Sequence, residues 1–392
     1  MAARTPAAHG HTKGLVGTVV GLAAAGAAVG LAVHRTVGRR RRPERIGSAA
    51  ELPPGRTDAQ LREQDPLGPA GRRADRTALV QADDGVLLAV EEVGPPDAPL
   101  TVVFVHGYTL SMASWAFQRR ALAEELVPAD GSRPRARLVF YDQRGHGTSG
   151  RGDAEHATME QLGRDLAGVL ETRVPRGPVV LVGHSMGGMT IMALAALRPE
   201  LFGSRIVGVA LLSTSSGNLA ELDFGLPELL TRVRAAVLPV AAFTMRRRPA
   251  LAERTRRLAA DLISQITWSL SFASADVDPA LGRYVDAMIA GTPVEVIAEF
   301  YPALAGLDEI GSLEPLRRVP TLVLTGDKDR LIPSAHSDLI VERLGGAGEN
   351  AAEYVVVSDA GHMVPLEKPE EVTAALGRLL RRVTATADVA GR

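Results

Sequence analysis

Short apolar runs recur along the chain at intervals that leave room for a helix between them. Leu100–Val105, Arg137–Tyr141, Pro178–Val182, Ile206–Ser213, Pro320–Thr325 and Glu353–Val357 are rich in Val, Leu, Ile and aromatic residues, with no polar–apolar alternation. A run of that length without alternation reads as a strand covered on both faces, as in a parallel sheet. Stretches between them, such as Trp115–Leu126, Met159–Leu170 and Met189–Leu197, have helical length and pattern. After Arg76, TALVQADDGVLLAVEEVG predicts two strands around a turn at Asp83–Asp84–Gly85. The fold class implied is α/β: a mostly parallel, doubly wound sheet with helices on both faces.

The alternation stops between Asn218 and Val319. That region holds helical patterns, among them LPELLTRVRAAVLPVAAF and RTRRLAADLISQITWSLSFA, but no apolar strand-like run. An all-helical insertion between two sheet strands belongs over the carboxyl ends of the strands, where a lid sits. The expected organisation is a domain over 76–383, with a core of 76–217 and 319–383 and a helical cap at 218–318. Residues 384–392 form a C-terminal tail.

A different pattern precedes the body. After a tail of residues 1–14, Leu15–Val33 (LVGTVVGLAAAGAAVGLAV) runs nineteen residues without a charge. As a helix it would span roughly 28 Å, close to a bilayer's hydrocarbon thickness. Eight of the nineteen are Leu or Val and the others mainly Ala and Gly, so insertion is marginal. Arg39 to Arg42 follow this run, whereas a cleaved signal peptide carries its positive charge before it. The expectation is therefore a single-pass transmembrane helix at 15–33 that anchors the protein to a membrane. The tetra-arginine keeps the body on the cytoplasmic side. A secreted form released by signal cleavage and a soluble or surface-bound tail are the alternatives. Residues 34–75, rich in Arg, Pro and Gly, read as a linker.

Composition sharpens this picture in two places. The net charge of −1 conceals an N-terminal fifty residues that carry eight basic side chains against Glu44, a balance of +7. The remainder is accordingly acidic. A basic end beside an apolar run points to a membrane partner rather than to nucleic acid. The chain has no cysteine, which excludes disulfides, thiolate metal sites and a cysteine nucleophile.

The candidate chemistry centres on LVGHSMGGMT. Ser185, in Gly183-x-Ser185-x-Gly187, directly follows an apolar strand and precedes the helical MTIMALAAL. A strand–turn–helix elbow of this kind exposes a nucleophilic serine and needs small neighbours in the turn. A serine hydroxyl is a weak nucleophile and requires a base, a group to orient that base, and donors for the developing oxyanion. In elbows of this type the acid and then the histidine follow the serine in chain order, which leaves His336 and His362. His362 comes immediately after the last strand and is the expected base; His336 reads as a solvated helix residue. GDKDRLIP after the strand at 320–325 offers Asp327 and Asp329. Asp329 is the preferred acid, with Asp327 in local turn hydrogen bonds. The oxyanion donors are the backbone N–H groups of Met186 and Tyr108. Trp268, Phe272, Phe300 and Tyr301 in the cap are candidates to line an acyl pocket, with packing among the cap helices as the competing role.

Taken together, VFVHGYT, YDQRGHGTSG, GHSMGG, LTGDKDRLIP and AGHMVPLEKPEEV resemble the α/β-hydrolase family, in order and spacing over residues 76–383. The resemblance implies catalytic roles for Ser185, Asp329 and His362, in agreement with the chemistry above. It also implies that Asp142, Arg144, Gly145, Gly147 and Ser149 shape the loop after a strand, with substrate contact as the lesser alternative. His106 and His184 read as loop-packing residues. Haloalkane dehalogenases and epoxide hydrolases of this fold carry aspartate at the elbow, so a serine there implies acyl-serine chemistry. GHSMGG and DQRGHG are similar to monoglyceride lipases and carboxylesterases, and HGYTLSMASW to cofactor-free perhydrolases and carbon–carbon bond hydrolases. The expected function is hydrolysis of a small-molecule carboxylic ester, with no organic cofactor and no metal. Acyl transfer, perhydrolysis or carbon–carbon hydrolysis by the same triad are the alternatives, as is a non-catalytic ligand-binding protein.

Overall fold

Odd- and even-numbered residues of the central strands go to opposite faces, and both faces are buried. This computed structural model describes residues 74–127, 135–219, 247, 267–274, 276–345 and 352–390. Eight strands form one sheet: β1 (Arg76–Gln81), β2 (Leu87–Val93), β3 (Thr101–Val105), β4 (Arg137–Tyr141), β5 (Val179–His184), β6 (Ile206–Leu212), β7 (Thr321–Gly326) and β8 (Glu353–Val357). Their order is β1-β2-β4-β3-β5-β6-β7-β8. The β1–β2 and β2–β4 pairs are antiparallel, and every pair from β4 to β8 is parallel.

Val103, Val105, Val139, Tyr141, Leu181, Val209, Leu211 and Val323 point to one core. Val102, Phe104, Leu138, Phe140, Val180, Val182, Leu212, Leu322 and Leu324 point to the other. The first core is closed by helices α2 (Met159–Arg173) and α3 (Met186–Leu197), through Leu166, Val169, Ile191 and Leu194. The second is closed by α1 (Ala116–Leu126), through Leu122 and Leu126. Each such side chain contributes about 1.5–3 kcal/mol on full burial, so two-sided burial explains why these strands lack alternation.

The described part of 218–318 holds α4 (Pro279–Gly291), α5 (Val294–Ala305) and a 3₁₀ turn at Gly311–Arg318. Its two roots meet in an isolated antiparallel bridge between Gly217 and Asp308. The chain then returns through α6 (Ser334–Leu344), the short α7 (Val364–Glu367) and α8 (Pro369–Ala390). The last helix runs past residue 383, and its Val372, Leu376, Leu379 and Val383 complete the second core.

The membrane expectation is corrected. Among the described residues no helix is long and apolar enough to cross a membrane. The stretch 15–33 and most of the linker 34–75 lie outside the described residues. An Ala- and Gly-rich run removes little apolar area from water per residue. The membrane-anchored localisation and the membrane partner are not retained.

Candidate functional site

Every candidate catalytic residue stands just past the carboxyl end of a parallel strand, along the edge where such sheets place their ligands. Ser185 joins β5 to α3 at φ 54° and ψ −121°, a backbone state that costs a non-glycine residue about 1–3 kcal/mol. The surroundings hold it there. Its N–H donates to the Leu212 carbonyl at 2.9 Å, and its own carbonyl accepts from Gly188 N–H at 2.9 Å and from the Thr214 hydroxyl at 2.7 Å. A Cβ on Gly187 would stand 2.1 Å from the Val105 carbonyl oxygen, and one on Gly183 would lie 2.6 Å from the Gly187 backbone. The glycines on either side of Ser185 are therefore required by contact between the turn and the sheet. Met186 begins α3, where first-turn N–H groups have no intrahelical acceptor and the helix dipole favours negative charge.

The second oxyanion donor candidate lies on the loop after β3. Gln143 N–H donates to His106 Nε2 at 2.9 Å, so that ring carries its proton on Nδ1 and donates it to the Gly107 carbonyl at 2.8 Å. The Gln143 amide also donates to the His106 carbonyl at 2.7 Å and accepts from the Thr190 hydroxyl of α3 at 2.7 Å. This chain fixes the loop of Tyr108 relative to the helix of Met186. The cap holds the same loop from above. The Tyr108 hydroxyl donates to the Ile297 carbonyl, the Thr292 hydroxyl to the Thr109 carbonyl at 3.1 Å, and the Tyr284 hydroxyl to the Ala113 carbonyl at 2.7 Å.

Asp329 follows β7 and His362 follows β8. Leu331 N–H at 3.0 Å and Ile332 N–H at 2.8 Å donate to Asp329 Oδ1, while Oδ2 lies 2.9 Å from His362 Nδ1. A carboxylate so occupied accepts from Nδ1–H and leaves Nε2 as the basic nitrogen. Asp327 instead accepts from Ala360 N–H at 3.3 Å, joining the loops after β7 and β8. His336 departs from the expectation of a solvated residue. It is half-buried, its Nδ1 is 2.9 Å from the Ser215 hydroxyl, and burial lowers its pKa.

The four cap aromatics do not form one wall. Phe272 is fully buried with Leu110, Tyr284 and Met363, and Trp268 packs edge-on against it. The Trp268 indole donates to Asp286 at 3.0 Å. Phe300 belongs to a separate cluster with Met159, Met186, Met189 and Val296. Tyr301 is partly exposed and acts electrostatically on Tyr108. Among the described residues no group of His, Asp and Glu is arranged to hold a metal ion.

Sequence reading did not find Glu367, whose carboxylate bridges the His362 loop and the cap. Within AGHMVPLEKPEEV it is one of several acids at a helix start, and no spacing sets it apart. It also read His184 only as packing. His184 Nε2–H donates to the His362 carbonyl at 2.8 Å, a pairing of residues far apart in sequence.

Three buried histidines around the site make stability depend on pH. Burial lowers His106 to about 4, and lowers His146 and His184 to about 3. Unfolded, each titrates near 6.5. Between pH 6.5 and about 4 the unfolded chain therefore binds protons that the folded chain refuses. The stabilisation is complete above pH 6.5 and is lost as pH falls, with a slope approaching roughly 4 kcal/mol per pH unit for three rings. Urea midpoints measured from pH 7.5 to 4.5 are expected to fall steeply below 6.5. A flat series would mean that the rings take up protons equally in the folded and unfolded chains, so that burial does not lower them.

The chain was compared with known proteins. A family model described as the alpha/beta hydrolase family matches residues 102–375. A monoacylglycerol lipase from Mycolicibacterium smegmatis is 28% identical over 281 residues, covering 69% of this chain and 85% of the lipase. Epoxide hydrolase A of Mycobacterium tuberculosis is 27% identical over 337 residues, covering 75% and 94%. Among solved structures, a thermophilic esterase from Thermogutta terrifontis superposes with a TM-score of 0.58 at 28% identity, covering 79% of this chain and 99% of the esterase.

Proposed function

The chain belongs to the alpha/beta hydrolase family and is an enzyme of that family, and on that premise we propose that it cleaves a carboxylic ester through an acyl-Ser185 intermediate. The observation that carries the reading is the 2.9 Å contact between His362 Nδ1 and Asp329 Oδ2, made by a carboxylate whose other oxygen is already committed. It orients one imidazole, with Nε2 as its basic nitrogen, on the edge of the sheet that holds the Ser185 turn.

In this mechanism Ser185 Oγ attacks the ester carbonyl carbon as His362 Nε2 takes the hydroxyl proton. Asp329 keeps the ring in the Nδ1–H tautomer and stabilises the imidazolium without taking its proton. The N–H groups of Met186 and Tyr108 hold the tetrahedral oxyanion. Collapse breaks the bond to the alcohol, which leaves with the proton from Nε2. Water then attacks the acyl-enzyme. His362 accepts its proton and returns it to Ser185 Oγ, and the carboxylic acid departs. Phe300, beside Met186 and Met189, lines the acyl side of the site, while Trp268 and Phe272 support the loop of His362 from the cap.

Similarity to a monoacylglycerol lipase and an esterase supports an ester as substrate. The epoxide hydrolase relative does not redirect the chemistry, because Ser185 occupies the elbow. The test is turnover of an ester panel of rising acyl length, together with labelling by a fluorophosphonate probe. Ester turnover with one label on Ser185 is expected. A folded protein that is neither labelled nor active on any ester would overturn the reading; labelling without ester turnover would point to transfer or carbon–carbon cleavage.

A further inference from the structure

The three residues 361–363 that carry the base are held from three sides. His184 Nε2–H donates to the His362 carbonyl at 2.8 Å, and Met363 N–H donates to the Ser271 carbonyl of the cap at 2.9 Å. The third hold is Glu367. One carboxylate oxygen accepts from Gly361 N–H at 2.9 Å, and the other accepts from Ala273 N–H of the cap at 2.8 Å. A Cβ on Gly361 would stand 2.6 Å from the backbone of Phe272 and Ala273, so the cap segment 267–274 presses directly on the turn before His362. Glu367 ends α7, which is itself tied down where the Gln118 amide donates to the Pro365 carbonyl at 2.9 Å.

From this arrangement we propose that Glu367 is a positioning residue that sets the His362 backbone for proton transfer and makes that setting depend on the seating of the cap. The proposal rests on the acyl-serine reading above. Both oxygens of Glu367 accept from N–H donors, an arrangement that suits the ionised carboxylate and leaves a proton on either oxygen without an acceptor. Misplacing the imidazole by a fraction of the distance of a hydrogen bond slows proton transfer without altering substrate contacts. Burial pushes the Glu367 pKa up; the backbone N–H groups of Ala273 and Gly361 lower it, and of the titratable groups facing it Asp329 raises it and His362 lowers it. Segment 267–274 brings no titratable side chain, Gln118 on α1 is uncharged, and the adjacent Lys368 acts on Asp359.

The test compares Glu367→Gln and Glu367→Asp with the wild type, with rates normalised to the Ser185 titrated by a fluorophosphonate. In Glu367→Gln one backbone N–H of the pair faces an amide NH₂. Normalised kcat is expected to fall by about 10- to 100-fold with KM nearly unchanged. The acid limb of the kcat/KM profile is expected to move to lower pH, because the negative charge that favours the imidazolium is gone. Glu367→Asp keeps the charge and is expected to keep the acid limb in place. A normally titrating wild type beside variants with unchanged normalised kcat and an unmoved acid limb overturns the role of Glu367 and leaves the acyl-serine reading standing. If Glu367→Gln does not fold, an unchanged normalised kcat in Glu367→Asp, which shortens the reach to both donors, overturns it equally. A wild type that fails to titrate overturns both.

Discussion

Replacing Ser185 with alanine is expected to lower kcat/KM by about 10⁴- to 10⁶-fold while leaving the fold intact. The magnitude is that of removing the nucleophile from a serine–histidine–acid unit, where the members act together and the residual rate comes from oxyanion donors and binding. The fold survives because the turn is held by backbone contacts. Ser185 N–H and its carbonyl make the hydrogen bonds to Leu212, Gly188 and Thr214, and alanine keeps all of them. Alanine also has the same Cβ at φ 54°, so the strain neither grows nor relaxes. Ester turnover, probe labelling and a thermal melt on one preparation separate the outcomes. Lost labelling with an unchanged melt supports the mechanism. Retained turnover would remove Ser185 from the chemistry, and a collapsed melt would show that its hydroxyl is structural.

Arg144→Leu is expected to cost about 3–5 kcal/mol of stability. Arg144 is fully buried, and its guanidinium is shared by two carboxylates. Nε and one terminal nitrogen reach Asp165 of α2 at 2.6 and 2.7 Å; the terminal nitrogens also reach Asp84, in the β1–β2 turn, at 2.6 and 3.1 Å. Burial raises the Asp165 pKa even with this partner in place, and the Arg144 hydrogen bond lowers that of Asp84. Removing the cation leaves two acids facing each other, one of them almost fully enclosed. Leucine restores some apolar contact but satisfies neither acid. Urea unfolding measures the loss, and Asp165→Asn added to Arg144→Leu is expected to recover part of it. A single variant as stable as wild type would mean that water or rotation of Asp84 relieves the site. These ion pairs tie the loop after β4 to α2 and to the β1–β2 turn.

The strands were legible because two-sided burial removes alternation, a signal carried by five or six consecutive residues. Their ends were less so. The run at 178–182 gave no reason to extend β5 through Gly183 and His184, since those residues are held by pairing with Leu211 and Leu212 of β6. Of the region 218–318, LPELLTRVRAAVLPVAAF and most of RTRRLAADLISQITWSLSFA lie outside the described residues, and the described part holds helices and no strand of the sheet. What the cap aromatics touch was not legible: Phe272 packs with Met363 beside His362, Phe300 with Met186 beside Ser185. His336 looked exposed from a helix start alone, and only the neighbouring loop after β6 brings Ser215 against it. A membrane span read from hydropathy at 15–33 found no counterpart among the described residues.

By itself, the sequence determined the doubly wound sheet, the serine at a glycine-flanked turn, and the placing of Asp329 and His362 after the strands that follow it. These are local properties, set by side-chain burial and backbone sterics over a few neighbouring residues. The tertiary structure decided which carboxylate oxygen meets which imidazole nitrogen, hence the tautomer of His362. It also decided that His184 and Glu367 hydrogen-bond to the backbone of residues 361 and 362, and that cap residues 271 and 273 join the same network. Those contacts join residues up to 178 positions apart. Their geometry follows from strand register and loop packing, which no window of sequence contains.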